Sequence, residues 1–120
     1  MKHVREWQEQ RALIEWCRLM ERRYPELRWL YHVPNGELRE PATAAKLKAM
    51  GVRAGVPDLC LPVARKGYHG LYIELKAGTS RPSKTQQGWI AFLAGEGYLV
   101  KICYGFQEAA SALLDYLRED

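Results

Sequence analysis

Two short apolar runs near the middle of the chain alternate in the manner of strands, and each is bounded by Pro and Gly. The first is Gly55-Val56-Pro57-Asp58-Leu59-Cys60-Leu61 and the second is Leu71-Tyr72-Ile73-Glu74-Leu75-Lys76. Positions 62–70 between them are turn-rich and suit a hairpin. Folding it about Lys66 sets Leu59 opposite Ile73, Cys60 opposite Tyr72, Leu61 opposite Leu71 and Asp58 opposite Glu74. Upstream, Trp7, Leu13, Ile14, Trp16, Cys17 and Met20 recur at helical spacing over positions 4–23. Glu6 and Gln10 extend the stripe of Leu13, Ile14 and Cys17, whereas Glu9 lies on its border beside Leu13 and Trp16. Tyr24-Pro25 ends that helix. Positions 27–33 then read as a strand stopped by Pro34-Asn35-Gly36, and positions 43–50 as a short helix closed by Gly51. Ser83-Lys84-Thr85-Gln86 matches a capping box, and Gln86 heads a helical stripe with Trp89, Ile90 and Leu93. Gly97 stops this helix, 98–104 is a further core strand, and 106–117 is a closing amphipathic helix. The sum is an α/β fold with a mixed central sheet flanked by helices, spanning 1–120 as a single domain.

The pairing of Asp58 with Glu74 is the feature that strand propensity does not ask for. Directly opposed residues of an antiparallel pair lie roughly 4.5–5.5 Å apart by Cα, and like charges there repel. Two hard oxygen ligands converging on one point are the usual way to hold a divalent cation such as Mg²⁺. Lys76 leaves the same strand face as Glu74, and the Leu75 carbonyl is a further oxygen within reach. A metal flanked by an ammonium suits phosphodiester hydrolysis, which builds negative charge. Against this stands the plain reading, in which Pro-Asp and Glu-x-Lys arise by chance on solvated strands.

Charge shifts the balance. The formal net charge is +4, but positions 39–84 hold nine Lys/Arg against three acids, a local +6 that leaves −2 elsewhere. Arg39, Lys46, Lys48, Arg53, Arg65, Lys66, Arg81 and Lys84 thus surround the carboxylates, as a polyanion-binding surface requires. Asn35 and Arg39 are candidates to approach a phosphate chain, and Lys46 or Arg53 to touch DNA, since Lys46 and Lys48 cannot share one helical face. The N-terminus of the helix after Ser83, beside Arg81 and Lys84, is a ready anion site. Gln86 has two available roles, closing its own cap or reaching a metal-bound water or phosphate.

Composition excludes other classes. Nearly half of the 120 residues are hydrophobic and about a quarter charged, as in ordinary globular proteins. No apolar run approaches a membrane span, and no signal-peptide pattern opens the chain. Cys17, Cys60 and Cys103 are odd in number and embedded in apolar patterns, so they read as buried free thiols of a cytoplasmic protein. No Cys/His spacing suggests zinc.

Pro57-Asp58 followed by Glu74-Leu75-Lys76, behind a leading helix with glutamates, resembles the PD-(D/E)XK nuclease superfamily. Within it the chain is similar to the virus-type replication–repair nuclease (VRR-NUC) family. The resemblance is carried by Pro34-Asn35-Gly36-Glu37-Leu38-Arg39, Gly51-Val52-Arg53-Ala54-Gly55-Val56-Pro57-Asp58, Glu74-Leu75-Lys76 and Ser83-Lys84-Thr85-Gln86-Gln87-Gly88-Trp89. It implies a restriction-endonuclease-like core of αβββαβ type, and it places the metal-binding aspartate at Asp58, the second acid at Glu74, the lysine at Lys76 and the glutamine at Gln86. The leading-helix glutamate, which would serve the metal directly or through water, falls on Glu9 or Glu6; Glu9 is preferred for its adjacency to Gln10, although the helical stripe favours Glu6. The implied activity is Mg²⁺- or Mn²⁺-dependent, structure-selective cleavage of branched DNA like that of Holliday-junction resolvases, by a homodimer whose two sites make paired nicks. The single-domain size suits a phage or prophage gene. The competing readings are a non-catalytic DNA-binding module on the same fold, a flap- or restriction-type endonuclease, and a protein whose basic face binds an acidic partner. Asp58, Glu74 and Lys76 together argue against the module, and 120 residues leave no room for an appended recognition domain.

Overall fold

The computed structural model describes residues 2–34 and 40–119. The elements run α1 (Lys2–Met20), a 3₁₀ turn (Pro25–Trp29), β1 (Tyr31–His32), α2 (Pro41–Ala49), β2 (Leu59–Leu61), β3 (Leu71–Lys76), α3 (Lys84–Gly95), β4 (Leu99–Tyr104) and α4 (Phe106–Leu117). The strands form one sheet in the order β1-β2-β3-β4, antiparallel except for the parallel pair β3–β4. Helix α3 makes the crossover that a parallel pair needs. This is the mixed, helix-flanked α/β architecture of a PD-(D/E)XK-like core.

The hairpin has the expected register: Leu59 faces Ile73, Cys60 faces Tyr72, and Leu61 faces Leu71. Its tip turns through Lys66 (φ 53°) and Gly67 (φ 86°), the pair of left-handed residues that a two-residue type I′ turn demands. Alternation then sorts the side chains. Leu59, Leu61, Leu71, Ile73, Leu75 and Cys103 enter a core completed by Leu13 and Cys17 of α1 and by Ala109, Leu113 and Leu117 of α4. Cys60, Tyr72, Glu74 and Lys76 point to the other face, where the first turn of α3 lies against Glu74 and Lys76. All three cysteines are free and buried, and burial pushes the thiols of Cys17 and Cys103 up to about 12 and about 11.

One expected element differs. The strand anticipated over 27–33 is cut short: positions 27–29 belong to the 3₁₀ turn, and only Tyr31 and His32 pair with β2. Pro25 occupies its first turn, where a fixed φ suits helical geometry. Alternation failed as a guide because Trp29 and Tyr31 stay exposed and only Leu27 enters the core. Helix α2 begins two residues earlier than expected, at Pro41, with the Glu40 side chain accepting from the Thr43 N–H. No α2 residue is buried, so it stands off the core. Among the described residues, no helix is long and apolar enough to cross a membrane.

Candidate active site

The site forms where the β2–β3 ladder ends. Beyond the Leu59–Ile73 pair, the Leu75 N–H donates to Asp58 Oδ2 at 2.8 Å instead of to a backbone carbonyl. The Asp58 carbonyl is held from the other side by the Val33 N–H at 2.7 Å. His32 Nδ1 lies 3.0 Å from that carbonyl and 3.2 Å from Gln10 Nε2. This nitrogen serves one contact at a time: protonated it donates to the carbonyl, and unprotonated it accepts from Gln10. In a strand, one residue's N–H and C=O point to the same side, so the Leu75 carbonyl is directed toward Asp58 as well.

Glu74 and Lys76 share the adjoining face and are nearly closed to solvent, at 2% and 6% exposed. Lys76 Nζ lies 3.2 Å from Glu74 Oε2 and donates to Gln86 Oε1 at 2.8 Å. Gln86, 5% exposed, donates from Nε2 to Glu74 Oε2 at 3.0 Å. Its Oε1 also accepts the Ser83 N–H at 2.8 Å, while Ser83 Oγ accepts the Gln86 N–H at 3.2 Å. The two roles open to Gln86 are therefore filled at once. The capping box fixes the rotamer that carries its amide to the acid and the ammonium.

Burial pushes the Glu74 carboxyl up to about 8, with the charge of Asp58 as the second cause and Glu6 a smaller one; Lys76 pulls in the opposite direction. Two carboxylates in a low-dielectric pocket disfavour each other's ionised form. A divalent cation relieves that conflict, and the available donors, two carboxylates and a backbone carbonyl, are hard oxygens of the kind Mg²⁺ and Mn²⁺ take. Among the described residues no three His, Cys, Asp or Glu side chains cluster tightly enough to hold a metal by themselves. The donor set fits an ion that keeps several waters, as Mg²⁺ does.

The leading-helix glutamates separate. Glu9 Oε1 accepts the Phe106 N–H at 2.7 Å and so caps α4, whose N-cap residue Gly105 has no side chain to do it. Glu6 is the one whose charge reaches Glu74.

The basic residues separate as well. Arg65 and Lys66 sit at the hairpin tip, at the opposite end of β2 and β3 from the acids. Arg65 Nη2 pairs with Glu26 Oε2 at 2.8 Å, and Lys66 Nζ donates to the Arg118 carbonyl at 2.9 Å. Arg53, Arg81 and Lys84 are exposed on the segments leading to β2 and α3, and Lys46 and Lys48 on α2. Asn35 and Arg39 lie outside the described residues. His32 is the contact that sequence reading missed; its one available signal was its place just before the turn at Pro34. A hollow of about 540 Å³ between β4 and α4 contains none of Asp58, Glu74, Lys76 or Gln86, so cavity size does not mark this site.

Comparison with known proteins agrees with the geometry. The VRR-NUC domain family matches residues 2–107. A solved structure described as a VRR_NUC domain protein aligns at 34% identity with a TM-score of 0.77, over 94% of this chain and 88% of that one. A comparison with curated proteins gave no match. The matched span takes in the leading helix, the hairpin acids, the lysine and the capped glutamine, and on it the chain belongs to the VRR-NUC family of nuclease-type domains.

Proposed function

We propose that this protein is a metal-dependent, structure-selective endodeoxyribonuclease that hydrolyses phosphodiester bonds in branched DNA. The observation that carries the reading is the meeting of Asp58 with a buried Glu74 whose carboxyl is driven up to about 8. Fold maintenance gains nothing from that juxtaposition. Asp58, Glu74 and the Leu75 carbonyl are the donors that would hold Mg²⁺ or Mn²⁺, with Glu6 contributing through the local field. When bound, such an ion supplies Lewis-acid polarisation of the phosphate and lowers the pKa of a coordinated water.

The chain's own groups do the rest. Lys76, pinned between Glu74 and Gln86, presents a fixed positive charge where the opening phosphodiester gains negative charge, and orients the attacking water. Gln86 holds both partners in place from a capped helix end. The N-terminus of α3, with Arg81 and Lys84 exposed beside it, receives the phosphate backbone. A homodimer with two such sites is the assembly that paired nicks on a junction require.

The test compares wild type with Asp58→Ala on a four-way junction, a flap and a linear duplex, each in Mg²⁺, Mn²⁺ or EDTA. Wild type should cut the branched substrates in either metal and nothing in EDTA. Asp58→Ala should bind but not cut. Equal cleavage by both proteins refutes the assignment, and metal-independent binding with no cleavage by wild type indicates the non-catalytic module instead.

A further inference from the structure

One helical turn beyond Gln86, the outer side of α3 carries an aromatic corner that the reaction does not use. Trp89 and Phe92 meet edge to face, their ring centroids 6.4 Å apart and their planes at 88°. Phe92 is 59% exposed. With Lys84, Thr85 and Gly88 they line a hollow of about 350 Å³, at the lower end of the range of about 300–1,000 Å³ typical of small-molecule pockets. Gly88 forms its floor. In a helix interior only proline is a worse residue than glycine. Packing within the chain does not demand glycine here, because a Cβ at 88 would meet nothing within 4 Å. The glycine keeps the helix backbone bare between a lysine and two aromatic rings.

The surroundings select the occupant. Lys84 borders the hollow, and exposed Arg81 lies just ahead of it. Gly55 abuts Thr85 so closely that a Cβ there would come within 2.6 Å of Thr85 Cγ2. The segment bearing exposed Arg53 therefore runs past the same helix end. Flat apolar faces rimmed by cations suit a nucleobase whose phosphates lie on the basic rim, because stacking uses the π-face and the backbone supplies the charge. An acidic carboxylate ligand would have no use for two aromatic faces.

We infer that the Trp89–Phe92 corner stacks an unpaired nucleobase of the strand whose neighbouring phosphate enters the Asp58–Glu74 site. This base pocket favours strands splayed at a branch over a continuous duplex, whose bases are stacked on one another and out of reach. The inference rests on the nuclease reading for the strand's course past Gln86, and it assigns the structural selectivity to two aromatic side chains and a bare helix turn.

The experiment uses the full chain in EDTA, where nothing is cut. A single-stranded oligonucleotide carrying one 2-aminopurine, and a continuous duplex of the same length, are titrated with wild type, Trp89→Ala and Gly88→Leu. Trp89→Ala should weaken single-strand binding about 5- to 150-fold, the range for loss of one stacked base, and leave duplex binding within about twofold. Gly88→Leu should do the same by filling the floor, and it also guards against misfolding of Trp89→Ala, since leucine is the better helix former and has room. Single-strand affinities within about twofold of wild type in both variants overturn the inference. So does a wild-type dimer in sedimentation that Gly88→Leu dissociates without loss of single-strand affinity, because the corner is then covered by a second copy. Cleavage assays separate the two readings. Wild type that binds through the corner yet never cuts sinks the nuclease proposal alone, whereas Asp58-dependent cleavage indifferent to Trp89 and Gly88 sinks the corner alone.

Discussion

Glu74 condenses the chemistry of the site into one side chain. It touches an ammonium, which favours its charge, and it lies in a dry pocket beside Asp58, which opposes it more strongly. Its carboxyl titrates at about 8 in the folded chain, against an ordinary value of 4.5. Between those two values the folded state keeps a proton that the unfolded state has released. Stability therefore falls as pH rises through that window, and below it the difference vanishes because both states are protonated. In EDTA the melting temperature should decline from about pH 5 to about pH 8, and Glu74→Gln should flatten the decline and melt higher than wild type at the alkaline end. Identical pH slopes for the two proteins would show that Glu74 ionises as an ordinary carboxylate.

Helix ends are where structure and site chemistry divide the labour. The capping box at Ser83 and Gln86 both starts α3 and aims the glutamine at Glu74 and Lys76. At α4 the cap comes from another helix entirely, since Gly105 is bare and Glu9 reaches across from α1. Gly105 also has to be glycine: its φ is +93°, and a Cβ there would sit 2.9 Å from Glu9 Oε1. The two leading glutamates should therefore respond differently. Glu9→Ala should cost about 1 kcal/mol in denaturant titration, the usual value of a lost N-cap, and retain cleavage where it is folded. Glu6→Gln should leave stability nearly unchanged and lower Mg²⁺-supported cleavage about 10- to 100-fold, as losses of outer-shell partners at metal sites do. A variant pair with these effects exchanged would reassign the glutamates.

Across the whole molecule, the described basic residues do not form one patch: Arg65 and Lys66 sit at the hairpin tip, Lys46 and Lys48 on α2, and Arg53, Arg81 and Lys84 on the segments entering β2 and α3. At the tip, Arg65 and Lys66 are engaged with Glu26 and the Arg118 carbonyl. The Glu26 carboxyl is held below its usual range by its own backbone N–H and then by Arg65. The tip is further tied to α4, because Tyr116 Oη donates to the Val63 carbonyl at 2.6 Å and accepts the Arg65 N–H at 3.2 Å. On the segments that lead into β2 and α3, Arg53, Arg81 and Lys84 face solvent. DNA affinity should fall steeply with salt. Arg81→Ala and Lys84→Ala should each reduce the slope of log K against log salt by about 0.9, one phosphate contact apiece. Arg65→Ala should leave that slope unchanged and cost up to about 1 kcal/mol of stability as a surface ion pair. An unchanged slope in the first two variants would place the DNA elsewhere.

The sequence by itself determined the parts governed by local rules. Period-two alternation and the turn-rich stretch between the two runs were enough to place the hairpin and its register, and with them the approach of Asp58, whose charge acts on Glu74. The capping-box spelling likewise placed Gln86 at a helix start. Tertiary structure alone decided what depends on contacts distant along the chain. Glu9 caps a helix 97 residues away, and His32 reaches the Asp58 carbonyl from a strand separated by α2. The basic tip turned away from the site, and positions 27–29 joined a 3₁₀ turn in which only Leu27 found a buried place in the core. Periodicity reports which face of an element is apolar, whereas the partner that face or terminus meets is settled only when the whole chain has packed.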